Sequence, residues 1–251
     1  MNILPIVSFT SVQPRKLNAK SQNSCAFRGD PDYSTSTYGS YSYRDDYWKK
    51  EIRLPDRFKR LTRATVGNPV TDERMKDFLI NSFKDIGNNC YKGGLTGASD
   101  YVKELNECGI KKFIMLCEPE ETRIMEKCEK FGVPLEIVHM PDYELNTEAQ
   151  IREFRSKFSA YSFVNAVKAL REGNCFVGCE SGNIRTKKFL SVVQTLDPEC
   201  KLNVFGLRQE LEDIKIAKII YRRLSDEMKK SLGYTEQFEK KLLETLKWCK
   251  V

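Results

Sequence analysis

The chain has 251 residues, of which 31% are charged and 40% hydrophobic, and its formal net charge is +7. This length and composition predict a soluble globular protein with one good-sized domain and an appendage. No apolar run is long enough to span a bilayer. The positive charge is spread along the chain without a basic stripe interleaved with aromatic residues, so the sequence indicates no nucleic-acid partner.

Cysteine and histidine usage limits the chemistry and the compartment. The nine cysteines show neither a C-x-x-C metal spacing nor a pairing pattern, and several stand where a core hydrophobic residue would stand. We therefore expect a reducing compartment, cytoplasmic, with delivery of a bacterial protein into a host cytosol left open. The first residues hold an apolar patch too short for a secretory signal. A single histidine, His139, leaves little material for a zinc site, and we expect neither metal nor organic cofactor.

The N-terminal 50 residues differ in composition from the rest. The segment Cys25–Tyr47 is rich in Ser, Tyr, Gly and Asp and has neither a helical nor a strand period. This predicts a disordered arm over residues 1–50, with a targeting or tyrosine-rich regulatory role left open. Residues 51–251 are predicted to form one domain, with its core at about 85–196 and C-terminal helices over 207–249.

Apolar periodicity in this domain predicts helices that alternate with short strands. The predicted helices are Thr71–Phe83, Ser99–Cys108, Pro119–Phe131, Thr147–Arg171, Leu207–Leu224, Asp226–Ser231 and Thr235–Trp248. The predicted strands are Cys90–Gly97 (an edge strand with its turn), Lys112–Cys117, Leu135–Met140 and Asn174–Val177, the last of them central. This alternation predicts an α/β fold with a mainly parallel sheet flanked by helices, which binds ligands beyond the carboxyl ends of its strands.

The segment CESGNIRT, residues 179–186, follows the predicted central strand and leads into a helix. Gly182 permits a tight turn there, so backbone N–H groups can point inward at an oxyanion. The predicted phosphate-binding residues are Glu180, Ser181, Gly182, Asn183, Ile184 and Arg185. Arg185 would hold two phosphate oxygens with its planar guanidinium, and the inward dipoles would favour a nucleophilic thiolate at Cys179. The alternative is a buried core cysteine followed by a helix-capping turn.

This segment resembles the C-x5-R-[ST] phosphate-binding loop of the cysteine-dependent protein tyrosine phosphatase superfamily. The segment VHMPD, which ends at Asp142, resembles the aspartate loop of dual-specificity phosphatases, and the Leu-Pro-x-x-Phe pattern at Leu54 resembles a segment before the core of bacterial, phytase-like members. The resemblance covers most of Leu54–Leu196. It implies the phosphatase fold and hydrolysis through a cysteinyl-phosphate intermediate.

The resemblance also implies a role for each matching residue. Cys179 is the nucleophile, Asp142 the general acid and later the base, and Arg185 the oxyanion clamp. Thr186 donates to the sulfur and eases its departure. We also hypothesise that Cys117 traps oxidised Cys179 as a disulfide, with a buried core cysteine as the alternative.

Two positions depart from the family pattern. Family members usually have a histidine directly before the nucleophile, where this chain has Gly178, and a glycine is common where it has Lys187. These departures predict a less rigid loop and leave open an impaired, phospho-binding protein. Glu180 in the loop disfavours inositol polyphosphates, which remain an alternative, and favours a phosphorylated protein (phosphotyrosine or dual-specificity) or a small phosphomonoester. A sulfurtransferase or arsenate reductase would have little need of Asp142. The oligomeric state is left open.

Overall fold

The computed structural model describes residues 57–58, 74–75, 77–116, 122–203 and 211–247. All of them belong to one unit of the chain, Lys50–Val251. The predicted N-terminal arm, residues 1–50, lies outside the described residues. Among the helices of the described part, none combines the length and the apolar character that a membrane crossing needs.

Within the described residues, five strands form one sheet. In chain order they are β1 (Lys84–Gly87), β2 (Cys90–Gly94), β3 (Lys112–Met115), β4 (Leu135–Ile137) and β5 (Cys175–Cys179). Their order in the sheet is β1-β2-β5-β3-β4, and only the β1–β2 pair is antiparallel. The predicted α/β fold with a mainly parallel sheet is therefore confirmed, and β5 is the central strand.

Helices cover both faces of this sheet. They are α1 (Leu95–Ala98), α2 (Val102–Glu107), α3 (Thr122–Lys130), α4 (Glu148–Lys157), α5 (Ala160–Glu172), α6 (Ile184–Leu196), α7 (Leu211–Tyr221), α8 (Asp226–Ser231) and α9 (Glu236–Lys247). One apolar cluster packs beneath α1 to α3 and includes Phe176; the other packs beneath α4 to α9 and includes Val177. Because successive side chains of a strand point to opposite faces, β5 supplies both clusters and is buried throughout.

The prediction of one helix over Thr147–Arg171 is wrong, because two helices, α4 and α5, occupy this range. Phe158 between them is extended, with φ −77° and ψ 128°, and its side chain is buried. Ser159 then caps α5, since its Oγ accepts a hydrogen bond of 3.2 Å from the N–H of Ser162. This side-chain cap starts a new helix where the apolar period alone predicts continuation.

The strand predicted within Cys90–Gly97 is present as β2, but its predicted position at the edge of the sheet is wrong. The edge strand is β1, which the sequence analysis missed, and β2 lies between β1 and β5. The turn that joins β1 to β2 contains Asn88 and Asn89, whose φ angles of 50° and 57° are left-handed. Asparagine tolerates that conformation and favours such hairpin turns. The Asn-Asn pair was therefore the signal for the missing strand.

Other elements differ from the predictions mainly at their ends. The helix predicted over Thr71–Phe83 is a π-helical turn, Phe78–Ser82, in its last part. β3 ends at Met115, two residues before the predicted end of this strand. Cys117, the predicted redox partner of Cys179, lies outside the described residues. The helix at Asp226–Ser231 has the predicted bounds. Among the described residues, α7 ends at Tyr221 instead of Leu224 and α9 begins at Glu236 instead of Thr235; the other predicted ends of these two helices lie outside the described residues.

Candidate active site

The predicted phosphate loop lies at the carboxyl end of the central strand. β5 ends at Cys179 and α6 begins at Ile184, so residues 180–183 connect strand and helix at the sheet edge where α/β proteins bind ligands. The side chain of Asn183 makes no capping hydrogen bond to α6. The start of α6 therefore presents its positive dipole end to the loop. The N–H of Gly182 departs from the prediction that the backbone N–H groups of the loop point at a bound oxyanion, because it donates to Cys179 O at 3.1 Å.

Glycines let β2 pack directly against this loop. Gly182 has φ +72°, and a Cβ there would lie 2.3 Å from the carbonyl carbon of Gly93. A Cβ at Gly178 would lie 2.4 Å from Gly93 O. Thr96, just after β2, adds a 3.4 Å hydrogen bond from its hydroxyl to Glu180 O. Backbone packing on β2 thus supports the loop at Gly178 and Gly182, a contact that the sequence analysis missed.

Cys179 and Thr186 form a buried pair behind the loop. The Thr186 hydroxyl accepts from Cys179 N–H at 3.1 Å and donates to Cys179 Sγ at 3.2 Å. Cys179 is 3% exposed and Thr186 0%. Because the oxygen already accepts from an amide, its single proton is directed at the sulfur. This contact is the one that the role predicted for Thr186 requires.

Asp142 and Arg185 meet across the loop. Arg185 Nη2 donates to Asp142 Oδ2 at 2.5 Å, and the two side chains are 21% and 52% exposed. Both line a cavity of about 190 Å³ together with Cys179, Glu180, Ser181 and Ile184. This volume is smaller than the roughly 300–1,000 Å³ pockets that hold drug-sized ligands. It suits one small anionic group.

Three side chains outside the cavity hold the segment that follows Asp142. Lys188 on α6 donates to Tyr143 O at 2.9 Å. On α7, Glu212 Oε1 accepts from Leu145 N–H at 2.7 Å, and Lys215 donates to Leu145 O. The sequence analysis did not find these contacts. They join residues far apart in the chain and leave no spacing pattern.

Basic residues flank the loop on the β1–β2 side. Lys84 and Lys92 are directly opposite each other in the two strands. Burial lowers the pKa of the Lys92 ammonium, and the positive charges of Lys84 and Lys187 lower it further. Within the described ranges, no group of three His, Cys, Asp or Glu side chains is placed to hold a metal ion.

No family model matches the chain, and neither does any curated protein. Among solved structures, the core catalytic domain of the PP-IP phosphatase SIW14 from S. cerevisiae, in complex with citrate, matches with 12% identity and a TM-score of 0.32, covering 66% of this chain and 93% of that one. A second Siw14 catalytic core matches with 10% identity and a TM-score of 0.34, covering 67% and 94%. Similarity at this level supports no conclusion about activity.

Proposed function

We propose that this protein is a cysteine-dependent phosphatase that hydrolyses phosphomonoesters through a cysteinyl-phosphate intermediate. The observation that carries the proposal is the convergence of Cys179, Arg185 and Asp142 on one small cavity. The three side chains come from β5, α6 and the loop after β4. An anion-binding module would need the arginine. It would need neither a buried thiol whose sulfur accepts a hydrogen bond from a hydroxyl group nor a carboxyl group paired with the arginine.

In the first step the substrate phosphate displaces the Asp142 carboxylate from Arg185, and the guanidinium then binds two equatorial phosphate oxygens. The Cys179 thiolate attacks phosphorus, so an S–P bond forms while the P–O bond to the leaving group breaks. Once released from Arg185, the Asp142 carboxylate takes up a proton from solvent and transfers it to the departing oxygen, which leaves as an alcohol or phenol.

In the second step the Asp142 carboxylate takes a proton from a water molecule, which attacks the phosphorus of the intermediate. The S–P bond breaks and inorganic phosphate is released. The sulfur departs as a thiolate that accepts the hydrogen bond from Thr186. In the resting protein Thr186 Oγ1 lies 3.2 Å from Cys179 Sγ. Both steps use only side chains of this chain. Because the nucleophile must be a free thiol, the proposal includes a reducing, cytoplasmic setting.

For the substrate we propose an aryl phosphomonoester, phosphotyrosine in a protein or a small equivalent, with dual specificity left within the proposal. Ile184 at the cavity is 56% exposed and offers an apolar wall for a ring. Glu180 lines the same cavity and disfavours a second phosphate group there.

A second candidate, an inositol polyphosphate phosphatase, is favoured by one observation. Lys92 lies on β2 directly opposite Val177 of β5, and Lys187 lies in the first turn of α6, so both bring positive charge near the loop, where further phosphate groups of a substrate would be attracted. The two candidate substrates differ in the number of phosphate groups that each carries. Phosphate release from a phosphotyrosine peptide and from an inositol polyphosphate therefore separates them, because only the latter reaction should slow when Lys92 and Lys187 are replaced by methionine.

The test of the proposed activity is hydrolysis of p-nitrophenyl phosphate by the full chain, by Cys179→Ser and by Asp142→Ala across pH. We expect no turnover with the serine variant and a roughly 100-fold or greater loss with the alanine variant. Wild type without turnover that still binds vanadate would show the impaired, phospho-binding protein. Neither turnover nor binding would show that the loop is only structural.

A further inference from the structure

The loop that carries Asp142 is attached to two helices through its backbone. Lys188 on α6 donates to Tyr143 O, one residue after Asp142, at 2.9 Å. Glu212 and Lys215 on α7 bind the N–H and the C=O of Leu145, respectively. The backbone is thus held on both sides of Glu144, by charged groups whose hydrogen bonds are stronger than those of neutral partners.

These contacts differ from ordinary surface interactions of a loop. Lys188, Glu212 and Lys215 are half-buried, and the side chain of Leu145 is 0% exposed. Exposed loops usually satisfy their backbone groups with water. Glu212 and Lys215 are three residues apart, so they lie on one face of α7 and approach the same peptide groups together. A residue bound at both its N–H and its C=O has a fixed chain direction.

The same arrangement links the loop to the phosphate clamp. Lys188 follows Arg185 by three residues, which is about one turn of α6. One helix therefore sets the position of the guanidinium that pairs with Asp142 and of the ammonium that holds the next residue. The position of a general acid relative to the substrate strongly affects the rate, since small displacements reduce proton transfer to the leaving group.

We propose that Lys188, Glu212 and Lys215 are positioning residues that hold the general acid Asp142 at the cavity. This inference rests on the proposed phosphatase function. None of the three lines the cavity, so they act through the loop backbone and not on the substrate. The opposing view is that they only stabilise the fold.

The leaving group distinguishes the two views. A poor leaving group such as phenol depends on protonation by Asp142, whereas 2,4-dinitrophenol departs readily without it. A displaced Asp142 therefore lowers kcat/KM for phenyl phosphate and leaves kcat/KM for 2,4-dinitrophenyl phosphate nearly unchanged, because kcat/KM reports only the steps up to formation of the cysteinyl-phosphate. A loss of folded protein slows both reactions equally.

The experiment compares kcat/KM for these two esters in Lys188→Met, Glu212→Ala and Lys215→Met, with Lys240→Met on α9 as an exposed control lysine. We expect a roughly tenfold loss for phenyl phosphate, less than about twofold for the dinitrophenyl ester, and no change in the control. Glu212→Gln keeps an acceptor oxygen and should recover most of the activity. In an Asp142→Asn background the Lys188→Met change should have no further effect, because the group it positions is already absent.

Equal losses for both esters, or a full additional loss in the Asp142→Asn background, would overturn the positioning role. Should Lys188→Met fold poorly, Glu212→Gln against Glu212→Ala gives the same comparison with a smaller change. Failure of the proposed function has a different signature: wild type would not hydrolyse either ester, or Cys179→Ser would remain active.

Discussion

Replacing Asp142 by asparagine should strengthen the binding of an inert oxyanion while it slows hydrolysis. In the resting protein the carboxylate is paired with Arg185 at 2.5 Å. An incoming tungstate ion must displace this carboxylate and then bind beside its negative charge. Asparagine has nearly the same shape and removes both costs, but it has no proton to give to a leaving group.

The size of the effect follows from exposure. The Asp142 side chain is 52% exposed and that of Arg185 21%, so the pair lies at the boundary with solvent and its strength is screened. Pairs of this kind contribute about 0.2–1 kcal/mol. Because Asp142→Asn removes the free energy needed to break this pair, its dissociation constant for the oxyanion should be lower than that of wild type by up to about fivefold. Loss of the acid should lower kcat for a poor leaving group by about 10²–10⁴.

Isothermal titration calorimetry with tungstate at fixed pH and ionic strength measures the binding, and phenyl phosphate hydrolysis measures the rate. Glu144→Gln is the matched control, because Glu144 is exposed, lies two residues further along the same loop and carries the same charge. That change should leave tungstate affinity within about twofold, since it is not paired with the guanidinium. Unchanged or weaker tungstate binding by Asp142→Asn would refute the idea that Asp142 competes with the phosphate for Arg185.

Three further experiments test separate predictions. Gly178→Ala should lower the free energy of unfolding by about 1–3 kcal/mol, because its Cβ would lie 2.4 Å from a β2 carbonyl oxygen; an unchanged urea midpoint would contradict this packing. Burial raises the pKa of the Cys128 thiol to about 11, so it should resist iodoacetamide at pH 8 in the native protein, whereas rapid native labelling of this residue would contradict its burial. Mild peroxide should oxidise Cys117 and Cys179 to a disulfide; the loss of two hydrogen atoms seen by mass spectrometry should vanish in Cys117→Ser, and no such loss in wild type ends the hypothesis.

The parts of the site that sequence predicts are those formed within one short segment. Cys179, Thr186 and Arg185 belong to a single strand–loop–helix unit, so their spacing determines their proximity. The central position of β5 follows from its continuous apolar character, since only a strand covered on both faces is apolar throughout. Asp142 follows β4, which lies two positions from β5 in the sheet. Because parallel strands end at the same edge of a sheet, Asp142 lies near the loop that follows β5.

The parts that sequence does not predict depend on contacts between distant segments. The hydrogen bond from Lys188 to Tyr143 O uses a backbone acceptor, which every residue offers, so nothing in the sequence identifies it. The close packing of Gly93 on Gly178 likewise becomes visible only once strand register is known. At Ser159 a local cap overrides a helical period that continues on both sides, and periodicity averages over such a break.

The central claim, a covalent intermediate on Cys179, is tested most directly by rapid-quench mass spectrometry. The enzyme is mixed with 2,4-dinitrophenyl phosphate, because this ester needs little acid catalysis, and Asp142→Ala is included because loss of the base should prolong the intermediate. We predict one added phosphoryl group on the peptide that contains Cys179, more abundant in Asp142→Ala and absent in Cys179→Ser. Turnover with no phosphorylated Cys179 peptide at any time, or with Cys179→Ser as active as wild type, would contradict the account.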